Sequence, residues 1–136
     1  MREICLDSNV LVAAFASRGL CADVLRLVLD EFELVLPEVV ADEVRRVLRD
    51  KIRLGEEADQ AAADFFDRVP VVPRGNEPPP VDVRDPDDAR VLADALRGGA
   101  RLLVTGDQDL LEVAERSPIP ILSPRAFLAL VRFRSG

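Results

Sequence analysis

The chain has 136 residues, of which 49% are apolar and 32% charged, with a net charge of −7 and no histidine. Length and composition predict one soluble globular domain, residues 1–136, with enough apolar material for a core that needs no covalent staples. The missing imidazole excludes Ser-His-Asp and Cys-His catalysis and His-ligated zinc, so any chemistry falls to carboxylates, hydroxyls, arginine or a hard metal ion.

The longest apolar run, Val10 to Ala16, is far too short to span a bilayer, and Met1 to Asp7 lacks the basic start and apolar stretch of a signal peptide. A cytoplasmic protein with no membrane association is expected. Cys5 and Cys21 have neither metal-ligand nor redox spacing. The 17 Arg against one Lys, Lys51, suit bidentate phosphate contacts, while the overall acidity argues against loose attraction of nucleic acid.

In chain order, Arg2 to Leu6 predicts a buried strand, and Asp7-Ser8-Asn9 supplies three residue types able to cap the helix that Val10 to Ala16 opens. After Arg18-Gly19, the spacing of Leu20, Val24, Leu27 and Val28 predicts a second helical piece ending by Asp30-Glu31. Phe32 to Leu36 is the next strand, with Pro37 placed in the first turn of a helix running to about Asp50. Gly55 begins another helix, and Val69 to Val72 is a short strand. The prolines of the segment Pro73 to Val83 forbid regular structure and predict a rim loop. A helix around Asp88 ends at Gly98-Gly99, Arg101 to Val104 is a strand, Asp107 to Ala114 a short helix, Ile119 to Leu122 a last strand, and Ser123-Pro124 caps a terminal helix. Strands alternating with helices imply an α/β fold with a parallel sheet between helix layers.

Four acids conflict with their surroundings. Asp88 falls in the arc of Val91, Leu92, Ala95 and Leu96, whereas Arg90, Asp94 and Arg97 take the opposite, wet side; something cationic should meet Asp88. Glu43 lies within the apolar face of Val39, Val40, Val44, Val47 and Leu48. Asp7 follows the first strand directly, and Asp107 follows the Leu102 to Val104 strand with only Thr105-Gly106 between, which puts both at the carboxyl edge of the sheet, where ligands bind.

Each acid also has a purely structural explanation. Asp7 and Asp107 can be helix caps, with Asp109 a competing cap; Asp85, Asp87 and Asp88 surround a helix start; Glu43 can snorkel to water. Taken jointly, carboxylates aimed into one hollow could not all ionise there without a cation. An all-oxygen site suits Mg²⁺ or Mn²⁺.

At these residues the chain resembles the PIN domain, a fold of metal-dependent ribonucleases, and in particular the toxin components of toxin–antitoxin modules similar to VapC-type toxins. The resemblance runs from Asp7-Ser8-Asn9-Val10-Leu11 through Pro37 to Glu43 and Asp85-Pro86-Asp87-Asp88 to Val104-Thr105-Gly106-Asp107-Gln108-Asp109. It implies a three-layer α/β/α fold around a five-stranded parallel sheet in the order 3-2-1-4-5. It also implies that Asp7, Glu43, Asp88 and Asp107 are catalytic, metal-binding acids, with Ser8, Asn9 and Thr105 as polar support. Asp85 and Asp109 stand close enough in sequence to substitute for Asp88 and Asp107.

The expected activity is Mg²⁺- or Mn²⁺-dependent hydrolysis of RNA phosphodiesters, leaving by family analogy 5′-phosphate and 3′-hydroxyl ends. A cognate antitoxin and a homodimer are the expected partners. The alternative is a catalytically silent PIN-like module that binds RNA or an antitoxin. A phosphoryl-accepting receiver of similar topology needs a lysine late in the sheet, and Lys51 lies on the wrong helix. Single-stranded DNA remains a candidate substrate beside RNA, because phosphate chemistry does not see the 2′-hydroxyl.

Overall fold

The computed structural model describes residues 2–135, with side chains described as far as residue 133. Its elements in order are β1 (Glu3–Leu6), α1 (Ser8–Ala16), α2 (Leu20–Glu31), β2 (Glu33–Pro37), α3 (Glu38–Asp50), α4 (Glu56–Arg68), β3 (Val71–Val72), α5 (Pro86–Arg97), β4 (Leu102–Val104), α6 (Gln108–Leu111), β5 (Ile121–Leu122) and α7 (Pro124–Ser135). The five strands form one parallel sheet in the order β3-β2-β1-β4-β5, flanked by helices as an α/β/α sandwich.

The central strands explain that order. Ile4, Cys5, Leu6, Leu102, Leu103 and Val104 are apolar without alternation and completely buried, as strands covered on both faces must be. Cys5 pairs with Val35 on one side and Leu103 on the other. Val10, Leu11, Val24, Val28, Leu92 and Phe127 bring the helices onto this core. The chain moves outward from β1 to β2 and β3, then returns to β4 on β1's other side, so the connections diverge between β1 and β4. At such a switch point the carboxyl ends of the strands leave a crevice.

The helix α5 is bounded by local chemistry. Asp85 caps it, its Oδ1 accepting from the Asp87 amide at 2.8 Å, and Pro86 occupies the first turn, where no N–H is needed. At the other end the Ala100 amide donates to the Ala95 carbonyl and the Gly99 amide to the Leu96 carbonyl. This paired closure requires a left-handed residue, and Gly99 supplies it with φ of 90°.

Several expectations are corrected. The helix α1 starts at Ser8 instead of Val10, because Asp7 caps it from outside. Pro37 has ψ of 146°, extended, so it ends β2 opposite Val72 and the helix begins one residue later. The helix expected from Asp107 to Ala114 stops at Leu111, where the bonding tightens to the i−3 pattern (Val113 amide to Leu110 carbonyl) and a separate 3₁₀ turn follows at Ala114–Arg116.

The largest correction concerns Asp94, expected on the wet face of α5 with Arg90 and Arg97. It is 0% exposed. The 73–85 loop folds over that face: the Gly75 amide donates to Asp94 Oδ1 at 3.2 Å, Arg90 Nε donates to the same oxygen at 3.0 Å, and Arg97 Nη2 does so at 3.3 Å. Arg97 also donates to the Pro73 carbonyl and pairs with Glu77 at 2.9 Å. A face judged polar by periodicity is thus a buried seam between helix and loop.

Candidate metal centre at the sheet switch point

The first candidate acid, Asp7, leaves β1 at the crevice and is only 2% exposed. Its Oδ1 accepts from the Ser8 amide at 2.8 Å, which is the cap of α1. Its Oδ2 accepts from the Thr105 hydroxyl at 2.7 Å and from Asn9 Nδ2 at 3.2 Å. Thr105 follows β4 and is itself fully buried; its hydroxyl oxygen accepts from the Asp107 amide at 3.0 Å. Asn9 reaches the same turn, its Oδ1 accepting from the Gly106 amide at 2.9 Å. The carboxyl ends of β1 and β4 are therefore stitched together by side chains, with Asp7 in the middle.

Glu43 enters from α3, and the Ser8 hydroxyl donates to its Oε2 at 2.9 Å. Its other oxygen stands 3.7 Å from Arg46, and the side chain is 43% exposed. It thus stands at the mouth of the cleft, which it lines together with Val47 of the same helix face. Asp107 caps α6, its Oδ1 accepting from the Asp109 amide at 2.8 Å. Asp88 sits in the first turn of α5, half-buried, and its Oδ2 is a buried atom with no hydrogen-bond partner among the described residues.

These residues share one cleft of about 530 Å³, lined by Asp7, Ser8, Asn9, Glu43, Asp88 and Asp107, with Asp85 and Asp87 also on its wall. Carboxylate oxygens of Asp85, Asp88 and Asp109 lie within 4.8 Å of one another, a grouping that draws in both residues considered as substitutes. Among the described residues, Asp7, Asp85, Asp88 and Asp107 form no ion pair with Arg or Lys, so none of those residues supplies the cation expected beside Asp88. Asp109 does have such a partner, Arg84 Nε at 3.8 Å.

The electrostatics follow. Burial pushes the Asp7 carboxyl above the usual carboxylate range, Asp107 and Glu43 add to the rise, and the Thr105 and Ser8 hydrogen bonds oppose it. Asp88 is pushed up to about 8, first by loss of solvent and then by the charges of Asp107, Asp7 and Asp85. A divalent cation fits this donor set. The available atoms are all hard oxygens, Asp7, Asp85, Asp88 and Asp107 have no cationic partner among the described residues, and the buried Asp88 Oδ2 lacks the donor that a purely structural carboxylate would have. The capping roles of Asp7 and Asp107 are equally real. Each uses its Oδ1 for the cap.

The fold and the cleft define the class as α/β/α domains with carboxylates at the sheet switch point. The family model for the PIN domain matches residues 3–109, and the chain belongs to the PIN domain family. Among curated proteins none matches the sequence. Among solved structures, the crystal structure of VapBC2 from Rickettsia felis bound to a DNA fragment from their promoter contains a chain of similar fold, with a TM-score of 0.61 at 16% identity over 89% of this chain and 97% of that one.

Proposed function

We propose that the protein is a divalent-metal-dependent ribonuclease acting at this cleft, and the toxin of a toxin–antitoxin module. The observation that carries the reading is the buried, unpartnered Oδ2 of Asp88 beside Asp7 and Asp107 in an acidic cleft without an internal cation. The likeness to a chain of the VapBC2 complex supports the fold on which it rests, and it motivates an antitoxin protein as partner. No helix among the described residues is long and apolar enough to cross a membrane, and a cytoplasmic site of action is part of the proposal. A homodimer belongs to the same proposal.

Asp7, Asp88 and Asp107 are the residues that would hold Mg²⁺ or Mn²⁺, with Asp85 and Asp109, whose oxygens cluster with those of Asp88, as alternative ligands. When bound, the ion neutralises phosphate charge and acidifies a water at the reacting phosphorus. The remaining work belongs to side chains. Thr105 and Asn9 hold Asp7 in one orientation, so its carboxylate needs no reorganisation when a substrate arrives. Glu43, fixed by the Ser8 hydroxyl and open to solvent, orients an entering water or takes its proton. Asp88 gives up its proton as the site is loaded, because its carboxyl is neutral at pH 7.

Incubating the protein with RNA and with single-stranded DNA, with Mn²⁺ or with chelator, tests the proposal. Cleavage of RNA that requires the ion and disappears in Asp7→Asn and Asp107→Asn is expected. RNA binding without cleavage under any divalent ion would leave the silent module as the correct reading, and cleavage that persists in chelator would remove the metal.

A further inference from the structure

Two aspartates at the start of α6 compete for a place beside Asp88. Asp107 lines the cleft with it, and Asp109 brings a carboxylate oxygen within 4.8 Å of those of Asp85 and Asp88. Their electrostatic surroundings differ. Asp107 has no cationic partner among the described residues, whereas Asp109 Oδ1 stands 3.8 Å from Arg84 Nε. The same guanidinium reaches Glu112 through Nη2, also at 3.8 Å, so it spans two acids of the α6 segment at the edge of the carboxylate group.

The chain fixes where Arg84 can reach. Val83 on one side is buried in the core, and Asp85 on the other caps α5, its Oδ1 accepting from the Asp87 amide at 2.8 Å and the Asp88 amide at 3.4 Å. Only the arginine side chain, 78% exposed, is left to move. As a surface ion pair it contributes little to stability, because solvent screens it and ordering a long side chain opposes it. Its effect on an arriving dication is of another kind. The guanidinium neutralises Asp109, and it repels the ion with a strength that scales with the ion's double charge. Asp107 presents its carboxylate to the cleft without that opposition.

We propose that Arg84 withholds Asp109 from the divalent ion and so leaves Asp107 as the carboxylate of the α6 segment that joins Asp88 in holding it. This rests on the metal-dependent reading above and deepens it, since it decides between two acids that stand two residues apart. Arg84 itself touches neither ion nor substrate; it acts through Asp109.

The test is a Mn²⁺ titration of the full chain at low ionic strength, with the free ion followed by its EPR signal and no substrate present. In the parent background Asp107→Asn should weaken binding, and Asp109→Asn should weaken it much less; asparagine caps a helix as well as aspartate does, so both variants keep the start of α6. Arg84→Gln should tighten binding about two- to fivefold, the range of an exposed ion pair, and Asp109→Asn made in that variant should cancel the gain. Arg101→Gln removes the same charge from another exposed arginine with an acidic partner, and its Kd should stay near that of the parent. In about 1 M salt, where screening acts beyond roughly 3 Å, the gain from Arg84→Gln should fade. The proposal is overturned if Asp109→Asn costs the parent as much as Asp107→Asn, if Arg84→Gln binds no tighter than the parent or than Arg101→Gln, or if its gain survives Asp109→Asn or high salt. A parent that binds no Mn²⁺ removes the metal-dependent reading and this proposal together, whereas a parent that binds the ion with the Arg84→Gln arm unchanged removes this proposal alone.

Discussion

The Thr105 hydroxyl donates to Asp7 Oδ2 at 2.7 Å, joining residues that leave adjacent strands 98 positions apart in the sequence. Both are buried, and the same oxygen of Thr105 accepts from the Asp107 amide. Thr105→Val keeps the shape and removes both interactions, leaving a buried carboxylate short of a donor. Urea unfolding at pH 7 should show a loss of about 1–3 kcal/mol, and the variant should bind Mn²⁺ more weakly than the parent.

Asp88 makes stability fall as pH rises. Its carboxyl titrates at about 8 in the folded protein, above its unfolded value, so between those limits the folded state holds the extra proton. The favourable protonated form is fully present in acid and lost as pH climbs through about 8. In metal-free protein, Asp88→Asn should therefore equal or exceed the parent in stability, with the advantage growing from pH 5 to pH 9. A denaturation series across that range checks it, and a variant that is several kcal/mol weaker at pH 9 would make Asp88 a structural cap.

Metal affinity carries the opposite pH dependence. Loading the cleft at pH 7 must displace the Asp88 proton, so affinity and cleavage should both rise with pH and level off above about 8. Thermal melts with Mn²⁺ report the same equilibrium without activity: an ion at a hundred times its Kd adds about 2.7 kcal/mol to the folded state. Asp7→Asn should abolish that increment.

Asp94 tests the helix–loop seam. Asp94→Ala removes the acceptor shared by Arg90, Arg97 and the Gly75 amide and leaves Arg90, only 15% exposed, beside an apolar methyl. Breaking a buried pair from one side costs about 3–5 kcal/mol; Arg97 is a third exposed and screened, so the lower end is expected here. Hydrogen exchange at Gly75 should accelerate by more than at Leu103, in the sheet centre.

Much of the architecture was legible in the chain because it follows from local patterns. Unbroken apolar runs such as Leu102 to Val104 mark strands buried on both faces, helical spacing marks the elements between, and Asp7 and Asp107, each at a strand end, fall on one edge whatever else the chain does. The sequence therefore determined the alternation of elements, the parallel sheet and the acids that gather at its crevice. Only the tertiary structure decided which polar groups are covered. Periodicity ranks the faces of a helix against the sheet and is blind to a distant loop, so it set Asp94 on a wet face that residues 73–77 close over, and it gave no sign that the Ser8 hydroxyl holds Glu43 at the cleft mouth. The bond from Thr105 to Asp7 and the approach of Asp109 to Asp88 likewise depend on segments brought together by folding, which no local pattern encodes.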